Sequence, residues 1–230
     1  MAMTSARSTD MVPGYINGRW ELLLPPHRAE FHQERPWWEG SRLADMYSAL
    51  ENAFYDPLHR LPRLLDVGSE EGDFTALFAS WGCEVGYIDP SLPWIEQTIE
   101  TLAANDLPIG LGFCGLAGET DDLLPHKVVN ERRFATIDEN LNRITLDTFC
   151  GLHGFWPDAV SMDVEGSELA VLRGAPKLLE KGPVWWISIH GDVDPHASLP
   201  SEVHRLMRAN GYQDQFLAYD HEWHYRFWRT

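Results

Sequence analysis

The spacing of apolar and polar positions changes once along the chain, near residue 62. Before that point it is mixed. Tyr15 to Leu24 reads YINGRWELLL, two short apolar stretches around Asn17-Gly18, a dipeptide that tolerates the positive φ angles of a tight hairpin turn. Pro25 to Trp38 follows neither the strand nor the helix period and is expected to be an irregular connection. From Ser41, a residue suited to capping a helix, Leu43, Met46, Tyr47, Leu50 and Phe54 recur at spacings of three and four, which predicts an amphipathic helix ending before Pro57. Met1 to about Pro13 is polar and is expected to be a loose tail.

From Arg63 onward short apolar runs alternate with helical periods, the pattern of a parallel sheet covered by helices. RLLDVG (63–68) is the first such strand, and GDFTALFASWG (72–82) its helix, with Phe74, Leu77, Phe78 and Trp81 on one face. CEVGYID (83–89) is the second strand, followed by a helix over 91–105. LPIGLGFCGLAG (107–118) gives a third strand and turn, and the polar stretch 119–142 is a lid, an extra hairpin or a long loop. PDAVSMD, SELAVLRGAPKLLEKG and PVWWISIHGD then supply a fourth strand, a helix and a fifth strand. PSEVHRLMRANG is a further helix, and YQDQFLAYD and EWHYRFWRT are an antiparallel pair turning near His221. Seven strands in this order suggest the doubly wound, mostly parallel sheet of class I methyltransferases, an α/β fold whose last strand is antiparallel, although many cofactor-binding folds share its first half. The expected division is an N-terminal extension over 1–61 that packs on a cofactor-binding domain over 62–230.

Composition narrows the partners. The 230 residues are 44% hydrophobic, enough for a substantial core, and the net charge of −17 opposes binding to nucleic acid or anionic lipid. Cys83, Cys114 and Cys150 are odd in number and far apart, with no zinc-ligand spacing, which fits a reduced cytosolic chain. No run approaches the length of a membrane helix, and the first residues lack the apolar stretch of a secretory signal.

The chemistry concentrates at strand ends. LLDVGSEEGDF (64–74) places Asp66, Gly68, Ser69, Glu70 and Gly72 where the first strand turns into its helix. A dinucleotide site would carry G-x-G-x-x-G and rest a pyrophosphate on the helix N-terminus, a position that Glu70 and Glu71 make hostile to phosphate. A cationic ligand without phosphate, such as S-adenosylmethionine, suits this loop, although acidic residues also complement a helix dipole. Asp89, followed by Pro90, ends the second strand about twenty residues on, where a carboxylate accepts both hydroxyls of a ribose or, alternatively, serves as a turn residue or helix cap.

LLDVGSEEGDFTALFASWG, YIDPS, ITLDTF, WPDAVSMDVEGSELAVLRGA and WISIHG together make the chain resemble the FkbM family of S-adenosylmethionine-dependent methyltransferases. The resemblance covers most of 63–192 and is most specific at MDVEGSELAVLRGA. Ser69-Glu70-Glu71 departs from the family's usual Ala-Asn, and Met162 from its usual Lys. It implies methyl transfer to an oxygen of a small acceptor, often a sugar, glycan or glycosylated natural product.

On that reading Asp163 stands beside the methionine part of the cofactor or the acceptor hydroxyl, and Glu165 shapes the same site. Glu168 falls in a first helical turn, where a carboxylate is also a good capping partner. His190, ending the fifth strand, is the candidate general base, with a strand-end histidine satisfied by backbone as the alternative. Asp163, Glu165, His190 and Asp192 together suit a divalent metal, which the resemblance does not require. Of the ten tryptophans, Trp37, Trp38 and Trp156 lie in predicted loops and are candidates for stacking on the acceptor, with packing as the alternative, whereas Trp185 and Trp186 are expected in the core. The rival readings are a metal-dependent sugar O-methyltransferase, another metal-assisted transferase or hydrolase on the same sheet, and a cofactor-binding module without turnover.

Overall fold

A computed structural model describes residues 10–54, 60–122, 142–190, 198–219 and 222–230. The chain opens with a hairpin of β1 (Val12–Ile16) and β2 (Trp20–Leu24). Asn17 and Gly18 take φ of 53° and 60°, so the sequence signal for a tight turn holds, but pairing begins at Val12, inside the expected tail.

The expected irregular connection is instead partly helical. Helix α1 (Pro26–Glu34) starts with proline at its first position, where the missing N–H has no intrahelical partner to lose. It buries little apolar surface, which is why no helical period shows in its sequence. The helix lies close on the hairpin: a Cβ on Gly14 would stand 3.1 Å from Cβ of Ala29. Helix α2 (Gly40–Phe54) follows as predicted and buries Leu43, Met46 and Leu50.

The core alternates β3 (Arg63–Val67), α3 (Asp73–Ser80), β4 (Glu84–Asp89), α4 (Leu92–Ala104) and β5 (Leu111–Cys114). A small parallel pair, β6 (Leu116–Ala117) and β7 (Arg143–Ile144), precedes α5 (Leu146–His153). The last elements are β8 (Ala159–Asp163), α6 (Glu168–Arg173), α7 (Pro176–Lys181), β9 (Val184–Ile189), α8 (Ser198–Ala209), β10 (Gln213–Tyr219) and β11 (Trp223–Trp228). Two details differ from the sequence reading. Residues 146–153 form a helix capped by the Thr145 side chain, and the predicted single helix after β8 is broken before Pro176, which cannot donate within a helix. Most of the polar stretch 119–142 and the turn near His221 lie outside the described residues.

The seven-stranded sheet runs in the order β10-β11-β9-β8-β3-β4-β5, with β11 antiparallel to both neighbours. Helices α5 to α8 cover one face, while α2, α3, α4 and the hairpin cover the other. Trp185 and Trp186, adjacent on β9, therefore enter opposite cores, as alternation along a strand requires. Their indole N–H groups donate to Tyr212 Oη at 3.2 Å and Asp45 Oδ2 at 2.7 Å, so both fill the interior with satisfied polar atoms.

Candidate active site

The carboxyl ends of β3, β4, β8 and β9 meet at one edge of the sheet, where a parallel fold leaves its crevice. At the end of β3, Asp66 is buried and accepts the Thr75 hydroxyl at 2.6 Å, which ties the turn to α3. Burial pushes its carboxyl up to about 6, against the opposing effects of Thr75 and Arg42. Gly68 has φ of 83°, and a Cβ there would lie 1.6 Å from the Asp163 carbonyl oxygen. Gly72, at φ 76°, would bring a Cβ within 2.2 Å of Thr98 Oγ1. These glycines are thus required for packing the loop against β8 and α4, a reason independent of ligand approach.

Asp89 ends β4 buried, accepting Ser91 N–H at 2.7 Å and Glu70 N–H at 3.0 Å. Burial outweighs those two donors and raises the carboxyl to about 7. Pro90 follows, and its carbonyl accepts the Cys114 thiol at 3.6 Å. Ser69 is buried with its hydroxyl unbonded among the described residues, and Glu70 takes φ of 46°, an uncommon angle for a residue with a side chain.

At the end of β8, Asp163, Glu165 and Glu168 converge with Glu222 on His190. Its Nδ1 is 2.7 Å from Glu168, while Nε2 is 2.8 Å from Glu222, 3.4 Å from Glu165 and 3.5 Å from Asp163. Burial would lower the imidazole pKa, but the bonds to Glu168 and Glu222 and the charge of Asp163 raise it to about 11. His190 is therefore an imidazolium at neutral pH, with no lone pair free to accept a proton. Glu168 is fully buried and also accepts the Gly166 N–H at 3.0 Å, a positioning arrangement close to the capping role read from its place in the chain. Burial, together with Glu222 and Glu39, raises the Asp163 carboxyl well above the ordinary range despite Arg42 and His190.

The N-terminal extension closes this edge. Arg28 Nη2 meets Asp73 Oδ2 at 2.6 Å, the His32 imidazole meets the same oxygen at 2.5 Å, and His27 pairs with Glu71. Burial alone would raise the Asp73 carboxyl, yet Arg28 and His32 hold it below the usual range. Arg42, fully buried on α2, bonds Glu39 and the Ser161 hydroxyl. Between extension and sheet lies a cavity of about 210 Å³. Arg28, Phe31, Trp38, Glu39 and Arg42 line it from the extension, and Asp66, Gly68, Ser69, Glu70, Asp163 and Glu165 from the sheet.

The candidate residues from the sequence thus separate. Asp66, Gly68, Ser69, Glu70, Asp163, Glu165 and Trp38 share the cavity wall, while Asp89, Pro90 and Gly72 form its immediate support. Trp37 is 60% exposed. Trp156 does not join them: it precedes β8, at the opposite end of the strands, with the Lys181 ammonium 4.4 Å from its ring centre. Asp192 lies outside the described residues. Arg28, His32, Glu39, Arg42, Asp73 and Glu222 were not singled out from the sequence. Arg42 carried a signal, since it shares the four-residue spacing of Met46 and Leu50 and so marks a charge on the buried face of α2.

Asp163, Glu165 and His190 place possible metal-ligand atoms within 4.8 Å of one another, as do Glu39, Asp163 and Glu222. The cations Arg42 and His190 already offset part of that charge. Cys83, Cys114 and Cys150 are free and buried, and burial raises each thiol to about 11 or 12, which removes them as nucleophiles. No helix among the described residues is long and apolar enough to cross a membrane.

Comparison with known proteins gives this geometry a context. The family model described as Methyltransferase FkbM domain matches residues 66–213. A solved SAM-dependent methyltransferase from Agrobacterium tumefaciens is similar at a TM-score of 0.50 and 15% identity, over 82% of this chain and 62% of its own. The present chain therefore spans about three fifths of that protein. Cofactor-bound Rv0187 from MTB is similar at a TM-score of 0.50 and 13% identity, over 84% of this chain and 79% of its own. At these identities the solved structures speak for the fold. A search of curated proteins returned no match.

Proposed function

The chain belongs to the FkbM methyltransferase family, a SAM-dependent enzyme class, and from that premise we propose that it methylates a hydroxyl of a small acceptor, a sugar, glycan or glycosylated natural product. The observation that carries the reading is the carboxylate-rich cavity at the ends of β3 and β8, closed by aromatic and cationic side chains of the extension. Its residues fit S-adenosylmethionine: carboxylates suit the sulfonium and ammonium, Asp89 keeps lone pairs for hydroxyl donors, and the buried Ser69 hydroxyl awaits a polar partner.

When bound, the cofactor supplies an electrophilic methyl carbon. Asp89 would hold the ribose hydroxyls, and the β3 loop, fixed by Asp66 and Thr75, would orient the donor. Asp163 would take the proton of the acceptor hydroxyl, the methyl group being what the cofactor's sulfonium would supply to that oxygen. A cationic ligand beside Asp163 favours its ionised form, which prepares it for that role. Glu165 sits on the same side of the cavity and orients the hydroxyl. His190 acts through its charge, holding Asp163, Glu165, Glu168 and Glu222 together, in place of the general-base role suggested by its position in the chain. Trp38 offers a flat face to a sugar ring.

The domain division, an extension over 1–61 and a cofactor-binding domain over 62–230, belongs to this reading. So does residence in the cytosol, which suits three unpaired buried thiols. A metal-dependent version of the same transfer is favoured by the two clusters of closely placed ligand atoms. Mass spectrometry of candidate glycosides and glycans, incubated with the protein and an isotopically labelled methyl donor, tests the proposal. Labelled product that persists in EDTA supports the metal-free reading, loss in EDTA supports the metal-dependent one, and binding without any product supports a cofactor-binding module.

A further inference from the structure

We propose that Arg28, on the N-terminal helix and outside the segment matched to the family, binds the carboxylate of the methionine moiety of S-adenosylmethionine, an inference that rests on the cofactor reading above. The need follows from charge. The cofactor carries two cationic centres and one carboxylate, and the cavity wall offers that carboxylate mainly like charges: Asp66, Glu70, Asp73, Asp163, Glu165 and Glu222. Two guanidinium groups line the same wall, Arg28 and Arg42.

They differ in how far each is committed. Arg42 lies under the end of β8 with a side-chain exposure of 2%, its two terminal nitrogens directed to Glu39 and Ser161. Arg28 is 13% exposed and sends Nε and Nη2 to one oxygen of Asp73, at 3.1 and 2.6 Å. A guanidinium has five N–H donors, and those on Nη1 of Arg28 have no hydrogen bond among the described residues. The Asp73 pairing fixes the plane of the fork, so a ligand carboxylate can meet it without ordering a free side chain. The paired Arg28 and Asp73 then present both signs of charge to an α-amino acid zwitterion, with carboxylate toward Arg28 and ammonium toward the acidic loop. The extension becomes part of the cofactor site as well as its cover.

Isothermal titration with S-adenosylmethionine and with decarboxylated S-adenosylmethionine, which lacks this carboxylate, tests the assignment. Wild-type protein should prefer the complete cofactor by roughly 10- to 100-fold, the scale of a charge-assisted hydrogen bond. Arg28→Gln should remove that preference by weakening the complete cofactor while leaving the decarboxylated analogue within about threefold. Should Arg28→Gln fail to fold, Arg28→Lys, which retains the cation opposite Asp73, should keep part of the preference. Equal weakening of both ligands by Arg28→Gln would overturn the proposal, since it would show only support of the loop through Asp73. An unchanged preference in that variant, or none in wild type, would overturn it as well. Failure of wild-type protein to bind either ligand would overturn the underlying cofactor reading instead.

Discussion

If Asp89 holds the ribose as proposed, cofactor affinity should depend on pH, and the burial of its carboxyl sets the window of the effect. In the free protein, burial places its carboxyl at about 7 against an ordinary 3.8, while Ser91 and Glu70 supply one backbone donor to each oxygen. Ribose hydroxyls and a nearby cationic ligand favour the ionised carboxylate, so binding should return it toward its ordinary value. Protons and cofactor then compete for the same group. Affinity should climb as pH rises toward 7 and level off above it. If the complex holds the carboxyl near 3.8, the two pH units between 5 and 7 correspond to a loss of roughly 100-fold at pH 5, about 2.7 kcal/mol. Titration calorimetry from pH 5 to 8, in two buffers of different ionisation enthalpy, reads both the affinity and the proton released. Asp66, at about 6, and Asp163 also titrate upward of their ordinary range, so Asp89→Asn isolates the contribution. The variant should bind more weakly at pH 8 and show a shallower slope below 7. Equal slopes in wild type and Asp89→Asn, or a flat wild-type profile, would refute the reasoning.

Gly68→Ala should destabilise the protein by at least about 3 kcal/mol in urea unfolding, because a left-handed backbone angle and a collision with the Asp163 carbonyl act together. A change within about 0.5 kcal/mol would mean that the loop and β8 are not in contact as described. His190→Gln should cost about 3 kcal/mol at neutral pH, since four carboxylates lose their shared cation. The imidazole pKa is raised in the fold, so its stabilisation is complete below the ordinary 6.5 and is lost as pH rises toward 11. Thermal midpoints should therefore fall less steeply between pH 7 and 10 in the variant than in wild type. Trp38→Ala should raise the acceptor KM several-fold, whereas Trp156→Ala, at the other end of the strands, should leave it unchanged; steady-state kinetics on an accepted glycoside decides between them.

Strand alternation and helix period were sufficient to read the sheet, because its central strands β3, β4, β8 and β9 are short, mostly apolar and nearly fully buried runs bounded by turns. The β3 loop and the acidic end of β8 were legible as neighbours for a related reason: glycines at strand ends turn the chain, and a parallel sheet brings the residues at its strand ends to one cavity wall. Helix α1 was not legible. Its contribution to the fold includes polar side-chain contacts from His27, Arg28 and His32 to Glu71 and Asp73 at the start of α3, and pairing across more than forty residues leaves no periodic trace. The charge state of His190 was hidden in the same way. Its neighbour Glu222 follows β10, and β11 then inserts beside β9, so the two residues meet through sheet topology.

The Arg28 and His32 side chains of α1 that meet Asp73 also bear on how the chain can be divided. Cut at residue 62, the sheet-forming part would retain a buried carboxylate, Asp73, without the Arg28 guanidinium and the His32 ring that hydrogen-bond it, and Ser161 and Trp186 would lose Arg42 and Asp45. The sequence boundary there should therefore separate two patterns of residues without separating two cooperative units. A chain begun at Arg63 should behave as a fragment of a single folding reaction, and the segment synthesised first should gain its full order only when the strands that follow supply its partners.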